Sequence, residues 1–277
     1  MIIDFHTHIF PGDVRRQEVF RSDPAFQGLY GSEKARLSDH GGLLSLMDRE
    51  GVDRSVCMGF PWQEEEACEL HNGYLLRARE ETGGRLIPFG SVPRTRGAPL
   101  RRWIEGMKQQ GFSGIGEMAF YDGGLDRRSA LFLEEVLLIA GGQKLPICLH
   151  VNEPVGHPYP GKYEPSLGAL YEIITRAPET TIILSHWGGG LPFYELMPEV
   201  KRNFGNVCYD TAASPYLYGD GIYGIAGQII SFQRILFGSD APLLKPGRYI
   251  ESIRAAFPVP EEQEAVLGGN ALRLLGL

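Results

Sequence analysis

The segment Ile2-Ile3-Asp4-Phe5-His6-Thr7-His8 opens the chain as an apolar, β-branched run and ends in two histidines two residues apart. A first strand that feeds a dinucleotide-binding, doubly wound sheet is followed by a G-x-G-x-x-G turn. Here the turn is His-Thr-His, which leaves a pyrophosphate no glycine cradle. Seven similar runs follow: Ser55–Phe60, Leu86–Val92, Phe112–Met118, Pro146–Val151, Thr181–His186, Val207–Thr211 and Ile235–Ser239. Stretches of helical period lie between them, such as Leu43-Leu44-x-Leu46-Met47 and Leu131-Phe132-x-x-x-Val136-Leu137-x-x-Ala140. Runs apolar on both faces and separated by helices predict parallel strands joined by crossovers, and eight such units can close on themselves. The expectation is a single (β/α)8 TIM barrel over residues 1–277, a fold that typically takes about 250 residues.

Glycines at Gly51, Gly83-Gly84, Gly111 and Gly141-Gly142 close periodic segments just before the next strand, as helix ends require. Two connections are long: Ile9 to about Arg36 after the first strand, and Asn152 to about Tyr163 after the fifth. Both leave the carboxyl ends of strands, where a barrel keeps its active site, so both are candidate lid or substrate loops.

With 27 Lys and Arg against 34 Asp and Glu, the net charge is −7, and no basic stripe marks a nucleic-acid-binding face. A small-molecule substrate is the expected partner; a homo-oligomer is left open. The N-terminal segment has no basic region followed by an apolar core, and no apolar run approaches the roughly 20 residues that span a bilayer, which predicts a cytoplasmic protein away from membranes. Cys57, Cys68, Cys148 and Cys208 are scattered without C-x-x-C spacing and read as buried thiols.

On a strand, residues two apart point to the same side, so His6 and His8 offer two convergent imidazoles. His150, His186 and Asp240 also stand at the ends of apolar runs, which brings five polar groups to one mouth. Left unpaired next to apolar strands, such groups cost several kcal/mol by typical estimates, and a metal ion would satisfy them together. Glu117 follows Gly114 and Gly116, whose bare backbones allow close approach at the mouth; it is read as a ligand or water-orienting group, against an acid that merely pairs with an arginine or caps a helix. His40, near a helix start, and His71, among glutamates, are read as solvated or capping. In the loops, Arg15 is a candidate carboxylate clamp and His157 a candidate substrate contact, as is Trp187 beside His186. Gly188-Gly189-Gly190 is read as opening a helix whose N–H groups would face an anion.

Beyond these residue-level readings, the sequence resembles the amidohydrolase superfamily, most closely the amidohydrolase-related branch that includes aminocarboxymuconate semialdehyde decarboxylases. The resemblance rests on Asp4-Phe5-His6-Thr7-His8-Ile9-Phe10-Pro11, Leu149-His150, Ser185-His186-Trp187-Gly188-Gly189-Gly190-Leu191-Pro192-Phe193, Phe237-Gly238-Ser239-Asp240-Ala241-Pro242 and the closing Gly269-Asn270-Ala271-Leu272-Arg273-Leu274-Leu275. It implies that His6, His8, His150 and Asp240 bind a divalent metal, usually zinc, with His186 a second catalytic residue or ligand. Many superfamily members carry a carboxylated lysine on the fourth strand between two metals; this chain has Glu117 there, so one ion or two stays open.

The first expectation is hydrolysis of an amide, ester or lactone through a metal-activated water, with Asp240 as base and His186 as its catalytic partner. The alternative is non-oxidative decarboxylation, or hydration, of an unsaturated or aromatic carboxylic acid. A decarboxylase needs a cationic clamp beside the metal, so an arginine reaching the mouth favours it. A third, a non-catalytic degenerate barrel, ranks last because no candidate ligand position is missing.

Overall fold

In the computed structural model, which describes residues 1–164 and 166–277, eight parallel strands follow one another in a single sheet ordered β1 to β8. They are β1 (Ile3–His8), β2 (Arg54–Met58), β3 (Leu86–Gly90), β4 (Gly114–Met118), β5 (Ile147–Leu149), β6 (Ile182–Leu184), β7 (Val207–Asp210) and β8 (Ile235–Leu236). Hydrogen bonds from Phe5 N to Phe237 O, His8 N to Ala241 O and Asp240 N to His6 O join the last strand to the first. The expected (β/α)8 barrel is therefore formed. Each of the eight predicted runs overlaps an observed strand; the first is predicted over Ile2–His6, and the observed β1 extends through His8.

Two apolar layers hold the ring. Inside it, Phe5, Val56, Met58, Ile87, Phe89, Cys148, Ile183 and Leu236 pack together, with the Phe5 and Phe89 rings edge to face at 5.5 Å. Outside it, Cys57, Ile115, Ile147, Leu149, Ile182, Leu184, Val207 and Tyr209 meet helices such as His40–Glu50, Ala98–Gln110 and Arg127–Gly142. Alternation along each strand assigns side chains to the two layers, as a strand buried on both faces requires. The helix ends follow the glycines at Gly51 and Gly111, both left-handed. Gly141 and Gly142 instead finish the helix Arg127–Gly142, and Lys144 supplies the left-handed residue beyond it.

The barrel departs from plain alternation on β1 and β4. On β1 the register passes from Asp4 opposite Ser55 to Thr7 opposite Cys57, so Phe5 and His6 both stand against Val56. On β4 it passes from Ile115 opposite Ile147 to Met118 opposite Leu149, so Gly116 and Glu117 both stand against Cys148. Each strand thus carries one extra residue, a bulge, which re-aims the side chains beyond it.

The long segment after β1 is ordered by its own small core. Phe10, Val14, Phe20, Phe26, Phe60 and Trp62 pack beside the barrel mouth, around the short helices Glu18–Arg21 and Pro24–Tyr30. Asp23 starts the second of these, accepting from Ala25 N and Phe26 N. The same cluster corrects the reading of His71, which is fully buried within helix Glu65–Glu81 rather than solvated. Its Nε2 donates to Ile9 O at 2.9 Å, its Nδ1 accepts from Trp62 Nε1 at 3.1 Å, and its ring stacks on Phe10 at 5.2 Å. His40 does begin a helix, its Nε2 3.1 Å from Glu81. The cysteines are free, and three are buried; Cys208 is half-buried. Among the described residues, no helix is long and apolar enough to cross a membrane.

Burial pushes the His71 pKa down to about 4. The unfolded chain, with a histidine pKa near about 6.5, takes up the proton first as pH falls, so this residue makes stability decline between those two values. The expected share of that decline between pH 7 and pH 4.5 is about 2–3 kcal/mol. Urea unfolding at both pH values should show a shallower drop in His71→Gln by that amount; equal drops would refute the assignment.

Candidate active site

Every predicted ligand position ends at the carboxyl side of the ring, and the bulges explain how. Beyond the β1 bulge, His6 and His8 converge, with their Nε2 atoms 3.1 Å apart. Beyond the β4 bulge, Glu117 turns into the mouth, where Oε2 lies 3.8 Å from both of those nitrogens. Gly116 permits this: its φ is +134°, and a Cβ there would sit 2.5 Å from Cys148 O. Asp240, left-handed at φ +63°, brings Oδ1 to 3.3 Å from His8 Nε2 and 4.0 Å from His6 Nε2. His150 Nδ1 and His186 Nε2 approach the other oxygen of Glu117 at 3.1 and 3.4 Å. Among the described residues three donor groups form: His6–His8–Asp240 and Glu117–His150–His186, with Glu117 between them, and His6–Cys148–Asp210, which shares His6.

Glu117 is buried, and its charged neighbours are the imidazoles of His6, His8, His150 and His186. The reading of it as an arginine-paired surface acid is therefore set aside. Burial alone would raise its pKa, but His150 and His6 outweigh that and hold it well below the usual carboxylate range. Burial likewise opposes protonation of His186, yet contact with Glu117 pushes it up to about 9. His6 is driven well above its ordinary value, against burial, by Asp210 and then Glu117. Asp240 is lowered by His8 and His6, again against the effect of burial. Carboxylates and imidazoles thus face one another across the mouth, and each holds the other's charged form.

The residues fit a divalent ion on two further counts. His150 Nε2 is buried with no hydrogen-bond partner among the described residues, and such an atom is costly unless something satisfies it. The His6 and His8 nitrogens lie 3.1 Å from each other and 3.3–4.0 Å from the Glu117 and Asp240 oxygens, within reach of groups sharing one ion at about 2.0–2.2 Å.

Sequence reasoning missed Asp210. Its Oδ2 lies 2.8 Å from His6 Nδ1, and its Oδ1 accepts from His186 N and Ala212 N at 2.9 and 3.0 Å. The signal was an aspartate one residue before the end of the seventh predicted run, much as Asp240 stands one residue past the end of the eighth.

Three expectations need correction or refinement. Trp187 is fully buried in the outer layer, its Nε1 donating to Ser214 Oγ at 2.7 Å, so it does not reach substrate. The cause is the backbone from His186 to Gly190, which runs left-handed at φ of 55–93° and turns the indole away from the mouth. The triple glycine consequently opens no right-handed helix whose amides could face an anion. Arg15 is claimed by loop carbonyls, those of Tyr30, Ser32 and Ala35 at 2.8–3.3 Å, and so fixes the loop instead of clamping substrate. His157 does line the mouth.

Above the donors lies a cavity of about 520 Å³, walled by Tyr30, Phe60, Tyr121, Tyr159 and Tyr216, with His8, Glu117, His150, His186 and Asp240 at its floor. Lys34 and Arg36, from the loop that Arg15 fixes, also line it, and Arg36 Nη1 donates to Leu243 O at 3.2 Å. Two smaller cavities nearby are each lined by one of these donors, Glu117 in one and His150 in the other.

A closed parallel barrel with buried imidazoles and carboxylates at its C-terminal mouth belongs to the class of (β/α)8-barrel enzymes. The sequence pattern of the family described as "Amidohydrolase" matches residues 3–277, and the chain belongs to that family. No curated protein matches it. Among solved structures it is similar to 5-carboxyvanillate decarboxylase from Sphingomonas paucimobilis, at 17% identity and TM-score 0.76, covering 100% of this chain and 99% of that one. It is similar also to 2,6-dihydroxybenzoate decarboxylase from Rhizobium, at 17% identity and TM-score 0.69 over 99% and 98%. A third is dihydroxybenzoic acid decarboxylase from Polaromonas sp. JS666, with bound manganese and 2-nitroresorcinol, at 16% identity and TM-score 0.71 over 100% and 97%.

Gly116→Ala should lower stability by about 1–3 kcal/mol, because the added methyl meets Cys148 O and the backbone is left-handed. It should also weaken binding of added divalent ions, since it displaces Glu117. Urea unfolding and titration with Mn²⁺ measure the two effects, and a variant unchanged in both would contradict the bulge argument.

Proposed function

We propose that this protein is a divalent-metal-dependent, non-oxidative decarboxylase of a small aromatic carboxylic acid. The observation that carries the reading is that Arg36 and Lys34 line the same cavity as the donor cluster. A hydrolase acting on a neutral amide or lactone has no need of two cations there, whereas an acid must be drawn in and oriented. The aromatic walls suit a flat ring, and the similar structures named above are decarboxylases of benzoates and of carboxyvanillate. Hydrolysis, the first expectation from sequence, is accordingly ranked second.

His6, His8, Glu117, His150 and Asp240 would hold the ion. When bound, it supplies positive charge that attracts the anionic oxygens of the substrate and offsets charge developing on it. The set contains imidazoles and carboxylates and suits manganese as well as zinc. Arg36 and Lys34 steer the carboxylate into the cavity, and Tyr30, Phe60, Tyr121 and Tyr159 sandwich the ring and exclude water.

The reaction breaks the bond between the ring carbon and its carboxylate. CO₂ departs, the electron pair stays on the carbon, and a proton must arrive there. Asp240 is the proton carrier in this reading: its carboxylate remains partly open to the cavity, at 15% side-chain exposure, while Glu117 is nearly closed off. It takes a proton from the substrate or solvent and delivers it to the carbon as the bond breaks. His186, held by Glu117 and by Ala212 O at 3.1 Å, keeps the neighbouring charge in place.

Hydroxybenzoates and carboxylated phenols incubated with the Mn²⁺- or Zn²⁺-loaded protein should release CO₂ and the decarboxylated ring in equal amounts, and chelation should abolish release. Asp240→Asn should lower kcat by about 10²–10⁴-fold, the usual range for loss of a positioned proton-transfer group. Turnover of amides or lactones without CO₂ would return hydrolysis to first place.

Arg36→Ala tests the clamp separately. It should raise KM about tenfold with kcat nearly unchanged, as removal of uniform binding does. A fall in kcat at constant KM would assign Arg36 another role.

A further inference from the structure

We infer that Asp210 is a positioning residue that sets the tautomer of His6 and, with its other oxygen, locks the turn that presents His186. The inference rests on the reading of the mouth as a divalent-ion site. Asp210 is wholly buried at the end of β7, between the two strands whose histidines it touches. Its Oδ2 accepts from His6 Nδ1 at 2.8 Å. A carboxylate accepts only, so the proton stays on Nδ1 and the Nε2 lone pair is left free toward His8, Glu117 and Asp240.

The other oxygen meets a different need. Oδ1 accepts from the main-chain N–H groups of His186 and Ala212, at 2.9 and 3.0 Å. His186 is a non-glycine residue held at φ +56°, a conformation that persists only where surrounding bonds over-determine it. Its ring in turn donates from Nδ1 to Ala212 O at 3.1 Å, closing a loop of main-chain and ring bonds around the one carboxylate. Ser185 Oγ, 3.4 Å from His6 Nδ1, is too distant to replace Asp210 and sits against Cys148 Sγ at 3.2 Å. One side chain therefore fixes a metal-facing nitrogen on β1 and the backbone that carries the imidazole after β6.

Asp210→Asn separates the two functions. Its carbonyl oxygen can still accept from His186 N and Ala212 N, but its NH₂ then faces His6 Nδ1, which must become the acceptor and move its proton to Nε2. The expected result is a folded protein whose amides at 186 and 212 stay protected from hydrogen exchange, with Mn²⁺ affinity reduced about 10–100-fold, the usual effect of removing an outer partner of a ligating histidine. In Asp210→Ala, exchange at both amides should accelerate as well.

The tautomer itself is read on the metal-free protein, at a pH high enough that His6 is neutral, by ¹⁵N NMR of His6, assigned against His6→Gln: a proton on Nδ1 in the natural protein, and on Nε2 in Asp210→Asn. If the natural protein binds no divalent ion, the reading of the site fails, while the NMR result still decides the inference. An unchanged proton position on His6 in Asp210→Asn, or equal Mn²⁺ affinity for the two proteins, would overturn it. So would exchange at 186 and 212 that is as fast in the natural protein as in Asp210→Ala.

Discussion

The site depends on buried negative charge that, among the described residues, has no lysine or arginine partner. Glu117, Asp210 and Asp240 face imidazoles alone in their close ion pairs. Burying carboxylates this way is costly unless a cation or protons offset them. In the free protein the charge shows as His6 and His186 raised above, and Glu117 and Asp240 held below, their ordinary pKa values. The same field is what a divalent ion would settle into, and it explains why two imidazole nitrogens can stand 3.1 Å apart without a conflict of lone pairs.

That charge is brought to one place by two one-residue irregularities. Without the extra residue on β1, plain alternation from Phe5, which packs inside the ring, would send His6 to the outer side; with it, both His6 and His8 enter the mouth. The bulge on β4 does the same for Glu117, at a position where only glycine fits before it. Bulges beside active sites re-aim side chains in this manner, and here two of them act on facing strands. The chemistry thus rests on local breaks in a regular barrel.

Around this floor the loops decide what can enter. The aromatic core of Phe10, Phe20, Phe26, Phe60 and Trp62 makes the long first loop a fixed wall, and Arg15 ties its end by main-chain carbonyls. Tyr30, Lys34 and Arg36 are consequently presented to the cavity. The guanidinium singled out from sequence as a clamp serves the scaffold, and a different cation from the same loop faces the cavity. A basic residue in a loop carries no mark of which acceptors will claim it, because those acceptors are backbone carbonyls whose positions depend on the folded loop.

Read alone, the sequence determined the repeating order of strands and helices, the barrel they form, and the histidines and aspartate that end β1, β5, β6 and β8, since hydrophobic period and residue type are local properties. It left Glu117 between two readings, passed over Asp210, placed His71 in solvent and sent Trp187 toward substrate. The tertiary structure decided each of these, because burial, bulge register and the left-handed run at 186–190 arise from packing between segments far apart in the chain. A strand-end carboxylate becomes part of a site only when its neighbours around the ring turn toward it, and that depends on geometry that no single stretch of residues contains.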